Sequence, residues 1–331
     1  MKVEAVVFRG AGGAEVIAMG ETEVREPGAG EVTVEIAAAG VNRADLLQRR
    51  GFYPAPPGAP PDVPGLEFAG RVIARGAATS QWMDGAHVMG IAGGGGMARR
   101  ITVHERELVV VPSGMSLVDA GGVPEVFFTA WDAMVRQARL GPGERVVVHA
   151  ATSGVGTAAI QIARAVGARP IATGRSADKL AQLTPLGLDP GDAITVGSPA
   201  SFAAAVAERT GGRGAEVIID VVGAAYFEEN LRALAPRGRV ILLGTMGGAT
   251  GTAPFGMMLA KRATVIGSVL RTRPIEEKIE LARDAAARMV PLFERGALRP
   301  VIDTVMPMAE VAAAHARMEA NANVGKIVLR W

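Results

Sequence analysis

The chain has 331 residues, 49% hydrophobic and 21% charged, which suits two cores of ~150 residues each and excludes a disordered polymer. It contains no cysteine, so a disulfide framework, thiol catalysis and zinc sites built on thiolates are excluded. Its 35 basic and 33 acidic residues leave a net charge of +2, too balanced for a general nucleic-acid surface or a polybasic membrane anchor.

Met1-Lys2-Val3-Glu4 leads into a strand pattern rather than a long apolar targeting segment. Two charge-free stretches, 146–163 and 240–260, are broken by Thr152-Ser153-Gly154 and by Gly247-Gly248 and Pro254. Neither supplies the ~20 continuously apolar residues of a membrane span, so a soluble cytoplasmic protein is expected. The first third is β-rich: short β-branched runs at 3–8, 31–36, 70–74 and 108–111 are bounded by Gly and Pro. Between them, Pro54 to Pro61 predicts an irregular surface loop.

From Pro124 the rhythm changes. A helix is predicted over 124–136, then strands at 145–149, 170–173, 193–196, 216–220, 239–243 and 264–267. Helices at 156–166, 176–186, 199–210 and 226–235 separate most of them. Six strands alternating with helices predict a doubly wound parallel sheet, the α/β Rossmann-type architecture that binds dinucleotides. A long helix over 274–294 and a strand over 326–329 are assigned back to the β-rich part. The expected domains are therefore 1–123 with 268–331, and 124–267.

The strongest local pattern is His149-Ala150-Ala151-Thr152-Ser153-Gly154-Val155-Gly156-Thr157, which follows a predicted strand and opens a predicted helix. Small residues let backbone approach a pyrophosphate, and free N–H groups at a helix start favour its charge. Ser153, Gly154, Val155, Gly156 and Thr157 are thus candidate cofactor residues, although strict G-x-G-x-x-G spacing is absent and a Gly-rich turn of another α/β protein is the competing interpretation. An NAD enzyme expects a carboxylate at the end of the second strand. Here Gly174-Arg175-Ser176-Ala177-Asp178-Lys179 has none at that point. Gly174, Arg175, Ser176 and Lys179 suit the 2′-phosphate of NADPH, unless the two cations merely solvate a surface turn. Gly223 and Gly244-Thr245-Met246 follow the fourth and fifth strands, where ligands meet the carboxyl ends of such sheets. His149 fits a buried, hydrogen-bonded histidine better than a base.

Several segments resemble the zinc-free quinone oxidoreductases, the zeta-crystallin-like branch of the medium-chain dehydrogenase/reductase superfamily. They are Gly40-Val41-Asn42-Arg43-Ala44-Asp45 through Gly51-Phe52-Tyr53, then Val63-Pro64-Gly65-Leu66-Glu67-Phe68-Ala69-Gly70, the nucleotide loop, Leu270-Arg271-Thr272-Arg273, and Glu319 to Leu329. The likeness spans essentially the whole chain and is greatest to the tumour-suppressor-inducible quinone oxidoreductase subgroup. It implies a GroES-like catalytic domain before the nucleotide fold and NADPH as hydride donor. The implied acceptor is a small-molecule quinone or activated alkene, and the implied assembly a homodimer paired through the edge strand 264–269. Zinc-dependent relatives place Cys where Asn42 stands and His where Leu66 stands, so the resemblance implies no metal. By the same resemblance Asn42 and Tyr53 are the catalytic candidates beside the nicotinamide. Thr129, Leu270, Arg271 and Asn323 are further cofactor contacts, and Lys326 is either another contact or a salt bridge at a strand start. One departure stands out: relatives carry a Tyr at the end of the third strand, where this chain has Val196. An enone reductase and a non-catalytic NADPH-binding protein are the alternatives.

Overall fold

The β-branched runs beyond residue 144 form one six-stranded parallel sheet. Its spatial order is Ala193–Thr195, Arg169–Gly174, Arg145–Val148, Ala215–Asp220, Leu234–Leu242, Thr264–Gly267, which is the doubly wound order with its switch point between the first and fourth strands. Val146, Val147, Val148, Ile171, Val217, Ile218, Val240 and Ile241 are all buried, as strands covered on both faces must be.

The computed structural model describes all 331 residues, which divide into Met1–Phe128 with Leu270–Trp331, and Thr129–Val269. The expected boundary at 124 moves to 129 because the start of the helix Pro124–Trp131 packs in the first unit, where Phe127 meets Phe293 edge-on at 4.8 Å between ring centres. The later boundary moves from 268 to 270.

The first unit holds a seven-stranded sheet ordered Ile302–Pro307, Lys326–Arg330, Glu31–Val41, Glu67–Arg75, His87–Ile91, Leu108–Val110, with Arg100–His104 also pairing to Glu31–Val41. A separate hairpin joins Lys2–Phe8 to Ile17–Glu23. The last strand thus pairs with the first long one, setting Ile327 opposite Val41 and Val328 opposite Gly40.

Three predicted helices differ in detail. The helix expected over 124–136 is α-helical only to Trp131 and continues as a π-helical segment, Asp132–Gln137. The one expected over 274–294 is interrupted by a π segment at Ala285–Met289, just before Pro291, whose missing N–H cannot continue an α-helical ladder. The third, expected over 176–186, stops at Ala181 and gives way to a 3-10 turn containing Pro185. No helix is long and apolar enough to cross a membrane.

Candidate active site

In the second unit, the strand Arg145–Val148 runs into Ala150, a non-glycine residue held at φ +47°, and the helix Gly154–Ala165 follows. A left-handed alanine is a strained choice, and such strain persists where the surroundings impose it. Here the Ala151 N–H is held by the carbonyl of Thr173, and Ser153 Oγ accepts from the Gly156 N–H at 3.1 Å as the helix N-cap. Gly156 is needed for packing, since a Cβ there would meet the carbonyl of Ala151 at 2.5 Å. The N–H groups of Gly154 and Val155 have no acceptor within the chain. Two free donors at the positive end of a twelve-residue helix fit a pyrophosphate. Thr157 lies deeper, its hydroxyl donated to the Gly154 carbonyl.

The next strand ends at Gly174, and Ser176 caps the short helix Ala177–Ala181 by accepting from Lys179 N–H. Arg175 is exposed and makes no ion pair in the chain. Asp178, the only carboxylate of this turn, sits in the helix's first turn, where the dipole favours it.

Beneath these loops runs a chain of hydrogen bonds that sequence reasoning had not assembled. Asp220 accepts from Val222 N–H at 2.6 Å, Gly223 N–H at 3.1 Å and Asn230 Nδ2 at 2.8 Å. Asn230 Oδ1 is therefore free to accept from His149 Nε2 at 2.6 Å, which leaves His149 Nδ1 to accept from the Thr173 hydroxyl at 2.7 Å. His149 is buried and, as expected, hydrogen-bonded. Burial holds its pKa below the ordinary imidazole value against the pull of Asp220. Gly223 adopts φ +82°, and a Cβ there would meet the Gly248 carbonyl at 2.8 Å. Gly244 packs on Val221, whereas Thr245 and Met246 are exposed in the loop after the fifth strand. Thr129 is half-buried at the unit's first residue.

In the first unit, Asn42 precedes the helix Arg43–Arg49, and its side chain is fully engaged. Its Nδ2 donates to Glu67 Oε1 at 2.9 Å, and its Oδ1 accepts from Lys326 Nζ at 2.7 Å. Lys326 also donates to Glu67 Oε1 at 2.5 Å and to the Val41 carbonyl at 2.9 Å. Both members of this ion pair are buried, so the salt-bridge alternative weighed for Lys326 is the one found. Asp45 accepts from the N–H groups of Asn42 and Gly65, and burial raises its pKa to about 6.

Tyr53 is half-buried, with its hydroxyl free of chain partners and its ring 4.8 Å beneath the Arg271 guanidinium. Arg271 is buried and donates to the carbonyls of Gly93 and Tyr53 and to Gln48 Oε1. These three bonds anchor the loop that carries Tyr53. Leu270 is buried, and Asn323 turns its amide to the Gly325 carbonyl at 2.8 Å. Sequence reasoning missed Glu67, whose signal is a carboxylate inside an apolar run, a place where a charge needs a buried partner. Glu125, whose N–H donates to Glu67 Oε2 at 2.8 Å, gave no such signal.

Comparison with known proteins agrees with this arrangement. Residues 28–113 match the alcohol dehydrogenase GroES-like domain, and residues 154–287 match the zinc-binding dehydrogenase family. Quinone oxidoreductase-like protein 2 of Mus musculus is 30% identical over 93% of this chain and 87% of its own length. The chain belongs to the medium-chain dehydrogenase/reductase superfamily, in its quinone oxidoreductase-like group. Among solved structures of this superfamily, one described as an NAD-dependent alcohol dehydrogenase is 33% identical, with a TM-score of 0.87 and 99% of each chain covered. The CurK enoyl reductase is 28% identical, with a TM-score of 0.85, covering 99% of this chain and 98% of its own. As a medium-chain dehydrogenase/reductase the protein is an oxidoreductase that uses a nicotinamide cofactor.

Proposed function

We propose that this oxidoreductase is an NADPH-dependent quinone reductase that works without zinc, as a homodimer in the cytoplasm. The observation behind this reading is the Lys326 ammonium, which sits on Asn42 Oδ1 and Glu67 Oε1. A fixed positive charge already occupies the surroundings of Asn42, and a chain without cysteine offers no thiolate to draw a metal there. Without Lewis-acid help the substrate must be one that accepts hydride readily, which favours a quinone over a simple ketone.

The bound nicotinamide supplies the hydride, and the chain supplies binding, orientation and exclusion of water. The Gly154 and Val155 N–H groups hold the pyrophosphate, and the unpaired Arg175 takes the 2′-phosphate in place of the tyrosine lost at Val196. Tyr53 offers its free hydroxyl to the oxygen on which charge develops. The CurK likeness favours a second reading, reduction of an activated alkene by the same machinery.

Fluorescence titration is expected to give tighter binding of NADPH than of NADH, and equal or tighter NADH binding would refute the cofactor assignment. Steady-state NADPH oxidation with ortho-quinones, para-quinones and enones, repeated after exhaustive chelation, is expected to show unchanged quinone turnover. A preference for enones would support the second reading.

The dimer is supported by the free edge of Thr264–Gly267, a hazard when left unpaired. Beside it in sequence, Phe255 is 71% and Leu259 78% exposed, with Val269 also exposed. Sedimentation at micromolar concentration is expected to give twice the 34.1 kDa chain mass. A solely monomeric species would refute this assembly.

A further inference from the structure

Arg271 is a buried cation, 4% exposed, whose bonded partners are all neutral. Its Nε donates to the Gly93 carbonyl at 2.7 Å, Nη1 to the Tyr53 carbonyl at 2.9 Å and Nη2 to Gln48 Oε1 at 2.5 Å. The Tyr53 ring is the fourth contact, its centre 4.8 Å from the guanidinium carbon. Asp45 and Glu125 attract the guanidinium through their charge without bonding to it. A loop clamp needs only donors, whereas a buried charge without a bonded counter-ion is costly. What that charge faces is the electron-rich side of the Tyr53 ring. The same residue fixes where the ring stands, because one rigid planar group holds Tyr53 both by its carbonyl and by its ring. Gln48, oriented by accepting from Arg271, donates its Nε2 to the Pro61 carbonyl at 3.2 Å. The loop from Tyr53 to Pro61 is thereby tied at both ends to Arg271. Between them Pro56 lies against Gly93, where a Cβ would meet Pro56 Cγ at 2.9 Å. At the end of this chain of contacts stands the Tyr53 hydroxyl, free of partners.

We propose that Arg271 is a positioning residue for Tyr53, holding the phenol in place and, through its charge on the ring face, strengthening the hydroxyl as a hydrogen-bond donor to the acceptor. This rests on the quinone or enone reductase reading, in which hydride transfer leaves negative charge on an acceptor oxygen. Donation to that oxygen pushes electron density back onto the phenolic oxygen and into the ring. A cation against the ring stabilises this density. The hydrogen bond therefore gains strength as charge develops on the acceptor, which is when it accelerates the reaction. Burial, and then the charge of Glu125, raise the phenol pKa above its ordinary value, and Arg271 opposes both. Arg271 acts through Tyr53, which makes the contact with the acceptor.

The test is a double-mutant cycle on the full chain, in which quinone and enone turnover is compared for wild type, Arg271→Met, Tyr53→Phe and the double substitution. Tyr53→Phe is expected to lower kcat by about 100-fold, the lower end for losing a donor to a developing oxyanion. Arg271→Met should lower kcat by about 10-fold, the scale of a desolvated cation on an aromatic face. Its KM for the acceptor should stay within about twofold, because the interaction strengthens only in the transition state. With Tyr53→Phe already present, Arg271→Met should cost less than about twofold more, since the hydroxyl it would strengthen is gone. Arg271→Lys keeps a cation but loses the planar fork, and it replaces Arg271→Met in the cycle if melting shows that the latter does not fold. Its kcat should be intermediate and show the same dependence on the Tyr53 hydroxyl. Affinity for the nicotinamide cofactor, read by fluorescence, should stay within about twofold in every variant. Equal losses with and without the Tyr53 hydroxyl, or a loss that follows weakened cofactor binding, would overturn the Arg271 role alone. A Tyr53→Phe enzyme with wild-type kcat would overturn the Tyr53 role as well. A wild type inert toward every quinone and enone would overturn the reductase reading itself.

Discussion

Lys326→Met is expected to lower stability by about 3–5 kcal/mol, the usual cost of removing one member of a buried ion pair. The ammonium satisfies three acceptors at once, on Val41, Asn42 and Glu67, and the Glu67 side chain has no solvent exposure through which water could replace it. Methionine matches the length of the stem but offers no donor. At the ~2–4 °C per kcal/mol of domains this size, the melting temperature should drop by roughly 10 °C. The decisive comparison is the double substitution Lys326→Met with Glu67→Gln, which removes the stranded charge. It should recover more than half of the loss, because most of the cost lies in the carboxylate left behind. Equal melting of wild type and Lys326→Met would show that water reaches Glu67.

Asp220→Ala should produce the second-largest effect, this time in the nucleotide-binding unit. It would strand two backbone N–H groups and the Asn230 amide, and a buried donor without a partner costs about 1–3 kcal/mol. A total of about 3–4 kcal/mol is expected in chemical denaturation, since the exposed end of the loop can recover some solvation. Asp220→Asn should fall in between. One of its oxygens becomes a donor, so Asn230 must flip, and the flip asks His149 to exchange its tautomer. Binding of the nicotinamide cofactor should weaken in both variants, because Gly223 loses the acceptor that shapes its turn. Undiminished stability of Asp220→Ala would mean that the strand ends are held by packing alone.

The nucleotide-binding sheet was readable because its central strands, among them Arg145–Val148 and Ala215–Asp220, are β-branched runs that are almost wholly buried. Elements with weaker contrast were not. The strand Ile17–Glu23 has no fully buried residue and carries Gly20 at its centre, so no alternation marked it. Ile302–Pro307 is likewise without a buried face and ends in proline. For the site, the phosphate loop and the carboxylate-free turn at Gly174 to Lys179 were local patterns and could be seen. The ionic cluster was not local: 259 positions separate Lys326 from Glu67, and nothing in either neighbourhood names the other. Arg271 is a second non-local case. Its motif was recognised, but its three acceptors lie 178 to 223 positions away, so the motif could not reveal what it held.

The pairing of Lys326–Arg330 with Glu31–Val41 also sets an order of events during synthesis. Glu67 leaves the ribosome long before Lys326, so it spends most of translation without the ammonium that pairs with it. The nucleotide-binding unit lies within the intervening stretch and can complete its own sheet first. The first unit can complete its sheet only once residues beyond 325 have been made. The buried partner of Glu67 therefore arrives with the last strand of the sheet to be synthesised.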